Sequence, residues 1–286
     1  MTKAITGIDH LGVVGHDMAA NQAAYERLGF MVTEPRPLMG LDADGNDIEL
    51  GQHSQHFVFG TTYVELTGII DPNKGNHVEA FLNRYEGLHI LCLAAADADA
   101  AVKALRDDGI AAPDVMDSAR FVYYGTTGTA RFRWFPLPQD TTPEGLVCVV
   151  QHVNPELVFQ DIVRNHPNGA QAVVEVTLCS ETPDQTVAAY QKILRVPPTD
   201  GPFGPVLDCG EARLTVVDPA GLNAMYPGTQ PPALPSLPAF TVGVADITHT
   251  AMYLRGAGIP FHEDTDRLWV EPAYGGGTVV AFSALD

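Results

Sequence analysis

The chain has 286 residues, 45% of them apolar, with 35 acidic against 16 basic side chains and a formal charge of −19. This length is enough for two ordinary domains with substantial cores. The acidity argues against a sequence-independent grip on nucleic acid or anionic lipid, which needs clustered Lys and Arg.

The amino terminus, MTKAITGIDH, shows no apolar signal segment, and no apolar run reaches membrane-spanning length. A cytoplasmic protein is expected, without nucleic-acid or membrane partners. A strand-like run at 8–14 leads into MAANQAAYERLG, which reads as an amphipathic helix with Ala20, Ala23, Ala24 and Leu28 on one face and Gly29 as its cap. HFVFGTTYVELTGI then reads as further strands. The pattern returns with a strand at 88–95 and the helix DADAAVKALRDDG, where Ala98, Ala101, Val102 and Leu105 share a face ended by Gly109. FRWFPLP and LVCVVQH follow as strands, and 153–170 is a connector. A third round runs from the strand at 172–179 through AYQKILRV (189–196) to ARLTVVD. A Pro-rich linker at 226–238 leads to the fourth: a strand at 239–244, YLRGAGI (253–259), RLWVEP and TVVAFS. Asp17, Asp97, Asp184 and Asp246 stand at or near the four helix starts, where a carboxylate can cap free N–H groups.

The unit is thus a strand, a helix and about three strands, four times over: an α+β chain of four βαβββ modules. Modules one and three share Ala-Tyr followed by a leucine, whereas two and four share Leu-Arg, two residues, then Gly-Ile. A two-module block has been duplicated, giving 1–160 and 161–286 as the expected domains. Cys92, Cys148, Cys179 and Cys209 show no C-x-x-C spacing, so neither a disulfide framework nor a thiolate zinc site is expected.

Comparing the blocks singles out a group of residues. His10 stands as far before Tyr25 as Glu175 does before Tyr190, and His89 as far before Leu105 as Pro238 before Leu254. GTTYVEL laid on GEARLTV sets Glu65 against Thr215, and GLVCVVQH laid on GTVVAFSA sets His152 against Ala284. The first block therefore holds His10, Glu65, His89 and His152 where the second, apart from Glu175, has no metal-binding chemistry. Imidazoles with a carboxylate suit one divalent transition metal: Zn, Ni, Fe, Co or Mn. Strand alternation lets only one of Gln151 and His152 face such a site. His56, Arg131, Arg133 and Tyr124 are candidate substrate contacts, the arginines against an alternative in which RFRW turns them outward. His77 and His166 fall in loops and read as exposed.

IDHLGVV, YVELTGI, GLHILCL, VVQHVNPELVF and HPNGA resemble the vicinal oxygen chelate superfamily, and more closely its bacterial glyoxalase-like domain proteins. The resemblance implies paired βαβββ modules, the glyoxalase/bleomycin-resistance/dioxygenase fold. It also implies a metal ligand on the first and last strand of each module, which map to His10, Glu65, His89 and the Gln151/His152 position. The glutamate common at that fourth position is absent here. By the same resemblance, Glu65 doubles as the catalytic base of a metal-dependent lyase or isomerase acting on a small oxygenated metabolite. An Fe(II) ring-cleaving dioxygenase and a metal-free binding protein are the alternatives. The second block is expected to be structural, closing the first or supporting a homodimer.

Overall fold

A computed structural model describes residues 3–41 and 46–285. Module one comprises β1 (Ile5–Val14), α1 (Met18–Arg27), β2 (Arg36–Leu41), β3 (Asp47–Val58) and β4 (Tyr63–Ile69). After the short α2 (Glu79–Leu82), module two follows as β5 (Gly87–Ala95), α3 (Ala98–Asp107), β6 (Met116–Val122), β7 (Gly128–Pro136) and β8 (Leu146–His152). Module three is β9 (Ala170–Cys179), α4 (Pro183–Leu194), β10 (Thr199–Asp200), β11 (Pro205–Asp208) and β12 (Arg213–Val217), trailed by α5 (Pro219–Met225). Module four is β13 (Ser236–Val244), α6 (Ile247–Gly256), β14 (His262–Glu263), β15 (Arg267–Val270) and β16 (Val279–Ala284).

The helix ends follow local chemistry. Asp17, Asp97 and Asp246 cap their helices by accepting backbone N–H groups of the first turn. Gly29, Gly109 and Gly258 leave three helices with positive φ; α4 instead ends on Arg195 at φ 55°, whose guanidinium bonds Asp108 and the Ala104 carbonyl beside α3. In α3 the apolar face is Ala98, Ala101, Val102 and Leu105, as expected. In α1 it is not the alanines but Met18, Asn21, Tyr25 and Leu28 that turn inward, because Tyr25 carries far more apolar surface.

In each module the first strand pairs in parallel with the last, and the first strands of paired modules run antiparallel. The first eight strands close into a barrel, β1-β4-β3-β2-β6-β7-β8-β5, joined between β2 and β6 at Met39 and Ala119. The last eight form an open sheet, β10-β11-β12-β9-β13-β16-β15-β14, with two-residue strands at both edges. One core lies between the sheets, where Leu11, Val13, Leu91 and Leu93 join Val176, Leu178, Phe240 and Val242. Tyr25 donates its hydroxyl to the Gly275 carbonyl at 3.0 Å, and Tyr190 donates to the Glu144 carboxylate. The repeated Ala-Tyr thus reaches across to the other block each time.

One end of the concave face of the open sheet is covered, while a cavity of about 1000 Å³ lined by Glu175, Thr215, Thr241 and Arg267 opens on the rest of it. Leu222, Met225 and Tyr226, on and after α5, cover Cys179, Val217, Ala239, Trp269, Val279 and Ala281. Burying such side chains contributes about 1.5–3 kcal/mol each. The barrel has no equivalent plug, and its lumen holds the candidate site.

Candidate active site in the barrel lumen

Two β-bulges decide which side chains enter the lumen. In the β1–β5 pairing, Ile8 faces Leu93 and His10 faces Cys92, so Asp9 is the extra residue of β1. Further on, Gly12 faces Ile90 and Val13 faces Leu88, so His89 is the extra residue of β5. With the caps Asp17 and Asp97, this makes Asp9 the counterpart of His89, and His10 the counterpart of Ile90. The two histidines that look equivalent in the sequence differ by one register step, which in a strand is a change of face.

His10 enters the lumen. Its Nδ1 lies 2.6 Å from Oδ1 of Asp9, and its ring stacks on Tyr63 with centroids 4.3 Å apart. The other Asp9 oxygen lies 3.0 Å from Nε2 of His152. Burial alone would raise the Asp9 pKa; hydrogen bonds from His10 and His152 outweigh it and bring it to about 2. An ionised Asp9 accepts from Nδ1–H of His10, leaving Nε2 as the basic ring nitrogen.

Glu65, two residues along β4 from Tyr63, points the same way and lines the same cavity. It is 8% exposed and has no hydrogen bond or ion pair with any described residue. Its cross-strand neighbour on β3 is His56, whose Nε2 accepts from Nη1 of Arg120 on β6. Burial, then the positive charge of Arg120, then His10, hold the His56 pKa well below the usual histidine range, so His56 is neutral. His77 stands at the rim with its ring edge-on to Trp134; burial lowers its pKa while Glu65 acts the other way. Ile90, Cys92, Phe132, Leu146 and Val150 complete an apolar wall around about 120 Å³ of free space, room for a small organic molecule. A second cavity of about 390 Å³ shares Ser54, His56 and Arg120 with the first and is lined further by Arg36, Tyr123 and Tyr124.

The residues singled out from sequence are only partly brought together. His10, Glu65 and His56 share the lumen. His152, rather than Gln151, is on the inner face of β8, but it packs on Phe132 and Phe159 behind Asp9. Gln151 turns outward and accepts from the Ala98 N–H at the start of α3. His89 is fully buried outside the lumen lining, its ring beside Tyr85 and its Nε2 2.8 Å from the Tyr85 carbonyl oxygen. Arg131 and Arg133 point outward while Phe132 and Trp134 line the lumen; Arg133 pairs with Asp99 at 2.7 Å. Tyr124 donates to the Val158 carbonyl and lines the second cavity. His166 is buried, not exposed, with Nδ1 accepting from the Met31 N–H and Nε2 2.9 Å from the Val58 carbonyl oxygen.

Sequence reasoning missed Asp9, Tyr63 and Arg120. A carboxylate inside the apolar run of IDHLGVV was a signal, because burying it requires donors. Tyr63 sits at strand spacing from Glu65. Arg120 carried no local sign, since β6 reaches the lumen only through barrel closure.

The donor set does not fit a resident metal. Among the described residues no group of three or more His, Cys, Asp or Glu side chains is placed to hold an ion. Module one contributes His10 and Glu65, but register puts Ile90 and Cys148 at their counterparts in module two. His152 is engaged with Asp9, and a guanidinium stands beside His56.

The sequence profile of the glyoxalase-like domain matches residues 8–194. The chain belongs to the glyoxalase-like domain family. Its fold is that of the vicinal oxygen chelate proteins, with paired βαβββ modules. A hypothetical protein from Staphylococcus aureus superposes with a TM-score of 0.66 at 11% identity, covering 97% of this chain and 99% of that one. A variant of 4-hydroxymandelate synthase from Streptomyces coelicolor gives 0.61 at 10%, covering 98% and 93%. The Mn(II)-bound glyoxalase from Novosphingobium aromaticivorans gives 0.56 at 15%, covering 99% and 83%. No protein of curated function matches the chain by sequence. No helix of the described residues is long and apolar enough to cross a membrane.

Proposed function

We propose that this glyoxalase-like protein is an enzyme of the lyase or isomerase type that moves a proton on a small oxygenated molecule held in the barrel lumen. The observation carrying this reading is Glu65, a buried carboxylate without a partner among the described residues, in the same cavity as the Asp9-oriented His10. Burying an ionisable group unpaired is costly, and folding gains nothing from it. In a cavity of organic-molecule size, such a carboxylate serves as a general base, and Nε2 of His10 as a second proton acceptor or donor. Asp9 orients His10 through the contact at its Nδ1.

Membership of the family and the likeness to a Mn(II)-bound glyoxalase support chemistry on a small oxygenated compound. A divalent metal was the expectation from sequence, but His10 and Glu65 are all that the lumen offers of its ligand set, and no step is routed through an ion. Iron-dependent ring cleavage would need two imidazoles and a carboxylate on one metal, and His89 is packed on Tyr85 outside the lumen lining. The apolar wall supplied by module two favours, as a second reading, a protein that only binds its ligand.

The test follows exchange of carbon-bound hydrogen next to a carbonyl, by proton NMR in D₂O, over a panel of small 2-hydroxy and 2-oxo acids and hydroxyketones. Wild-type protein should exchange at least one of them with or without chelator, and Glu65→Gln should lower that rate by about 10²–10⁴-fold. A Glu65→Gln variant exchanging at the wild-type rate would remove Glu65 as base. No exchange beside saturable binding would put the binding reading in front.

A further inference from the structure

Arg120 is 7% exposed, and its guanidinium borders both the lumen and the second cavity. Nη1 donates to Nε2 of His56, and Nη2 is buried without a partner. No carboxylate among the described residues lies within ion-pair distance; Glu65 shares the cavity without reaching it. His56 accepts from the arginine only as a neutral ring, so it fixes the guanidinium without neutralising it. The faces of Tyr63 and Phe132 lie 5.4 and 5.7 Å from its central carbon, a cation–π environment that leaves the unused N–H groups free.

A buried cation is ordinarily paired, because desolvation costs several kcal/mol unless an anion offsets it. Here the arginine is held in place by an acceptor, flanked by aromatic rings and left with an unpaired buried nitrogen, and its side chain lines both cavities. We propose that Arg120 is the anchor for a substrate carboxylate, and that the lumen takes a small monocarboxylate with an apolar or aromatic body. The guanidinium fork matches a carboxylate bidentately. Ile90, Phe132, Trp134, Leu146 and Val150 offer the body its apolar surroundings. The second cavity, with Arg120 and His56 in its wall, is the approach, and Arg36 lies there over the Tyr123 ring at 3.9 Å. The proposal rests on the reading of the lumen as the substrate site and names the substrate class for it.

Isothermal titration calorimetry tests it with phenylacetate, benzoate and butyrate against phenylacetamide, the uncharged counterpart of the first. Wild-type protein should bind at least one of the acids, and phenylacetate about tenfold or more tightly than its amide, as expected for charge-assisted hydrogen bonds in a buried site. Arg120→Gln should abolish the preference, and Arg120→Lys should retain part of it; thermal melts of both variants verify the fold. Glu65→Gln should keep the preference for the acid while losing proton exchange, so a failure of Glu65 as base is separable from a failure of Arg120 as anchor. Equal affinity for acid and amide, unchanged phenylacetate binding in Arg120→Gln, or no saturable binding of any acid would each overturn the proposal.

Discussion

Oδ1 of Asp9 stands 2.6 Å from Nδ1 of His10, and the same carboxylate holds His152 at 3.0 Å. Two imidazoles are thus ordered by one buried anion. The Asp9 pKa falls from 3.8 to about 2, so folding is favoured by its ionisation above pH 3.8, and that contribution disappears as the pH drops through about 2. The shift corresponds to roughly 2 kcal/mol. Urea unfolding measured at pH 2 to 5 should show this loss in wild-type protein and a weaker dependence in Asp9→Asn. At neutral pH, Asp9→Asn should be about 2 kcal/mol less stable, because a neutral amide holds the two N–H donors less well. Its proton-exchange rate should fall as well, with His10 no longer oriented.

His89 gives acid sensitivity in a different window. Burial, its largest influence, brings its pKa from 6.5 down to about 4, with the Tyr85 carbonyl opposing and Arg84 assisting the shift. Its neutral form therefore stabilises the fold above pH 6.5, and this is lost as the pH falls through about 4, by roughly 3 kcal/mol in all. His89→Phe keeps a ring against Tyr85 and Phe81 and removes the titration. It should flatten stability between pH 6.5 and 4 in denaturant titrations and leave lumen binding and exchange unaltered. A large loss of lumen binding in this variant would contradict the placement of His89 outside the site.

Tyr25 joins α1 to the turn before β16 through its bond to the Gly275 carbonyl. Tyr25→Phe removes one buried hydrogen bond and leaves a carbonyl with less satisfaction, at a cost of about 1–2 kcal/mol. Differential scanning calorimetry should show the lowered melting temperature, with ligand affinity in the barrel unchanged.

Register makes Ile90 the counterpart of His10. Its side chain lies over Gly12, where an added Cβ would meet it at 2.6 Å, so the lumen is closed there by module two itself. Ile90→His would place a second imidazole opposite His10 beside Glu65, a three-donor set of the kind that holds divalent transition metals. Titration with Co²⁺ should then give the visible absorption of a nitrogen- and oxygen-bound ion at about one equivalent, against none in wild-type protein. Equal Co²⁺ binding by both proteins would refute the fit argument made from the wild-type donor set.

Module order and three of the four helix caps were legible because each is local: a capping Asp, a closing Gly or a period of apolar residues acts within a few positions, whereas Asp184 lies inside α4, whose N-cap Thr182 makes no side-chain bond. Glu65 stood out for the same reason, a carboxylate alternating with strand residues. The frame linking His10 to His89 did not hold, since a bulge adds one residue to β1 at Asp9 and another to β5 at His89, and neither leaves a mark in composition. His10 and Ile90 became counterparts only through pairing between the strands.

By itself, then, the sequence determined four βαβββ modules, the ends of three of their helices and a chemically biased first block, because these follow from short-range propensity and periodicity. Only the tertiary structure decided which side chains share a lumen. Barrel closure carries Arg120 from β6 to His56, and bulges turn His89 away while Asp9 gathers His10 and His152. Tyr226 and α5 cover one end of the concavity of the second sheet. Each of these depends on long-range strand register, where a single residue of slip exchanges the two faces of a strand.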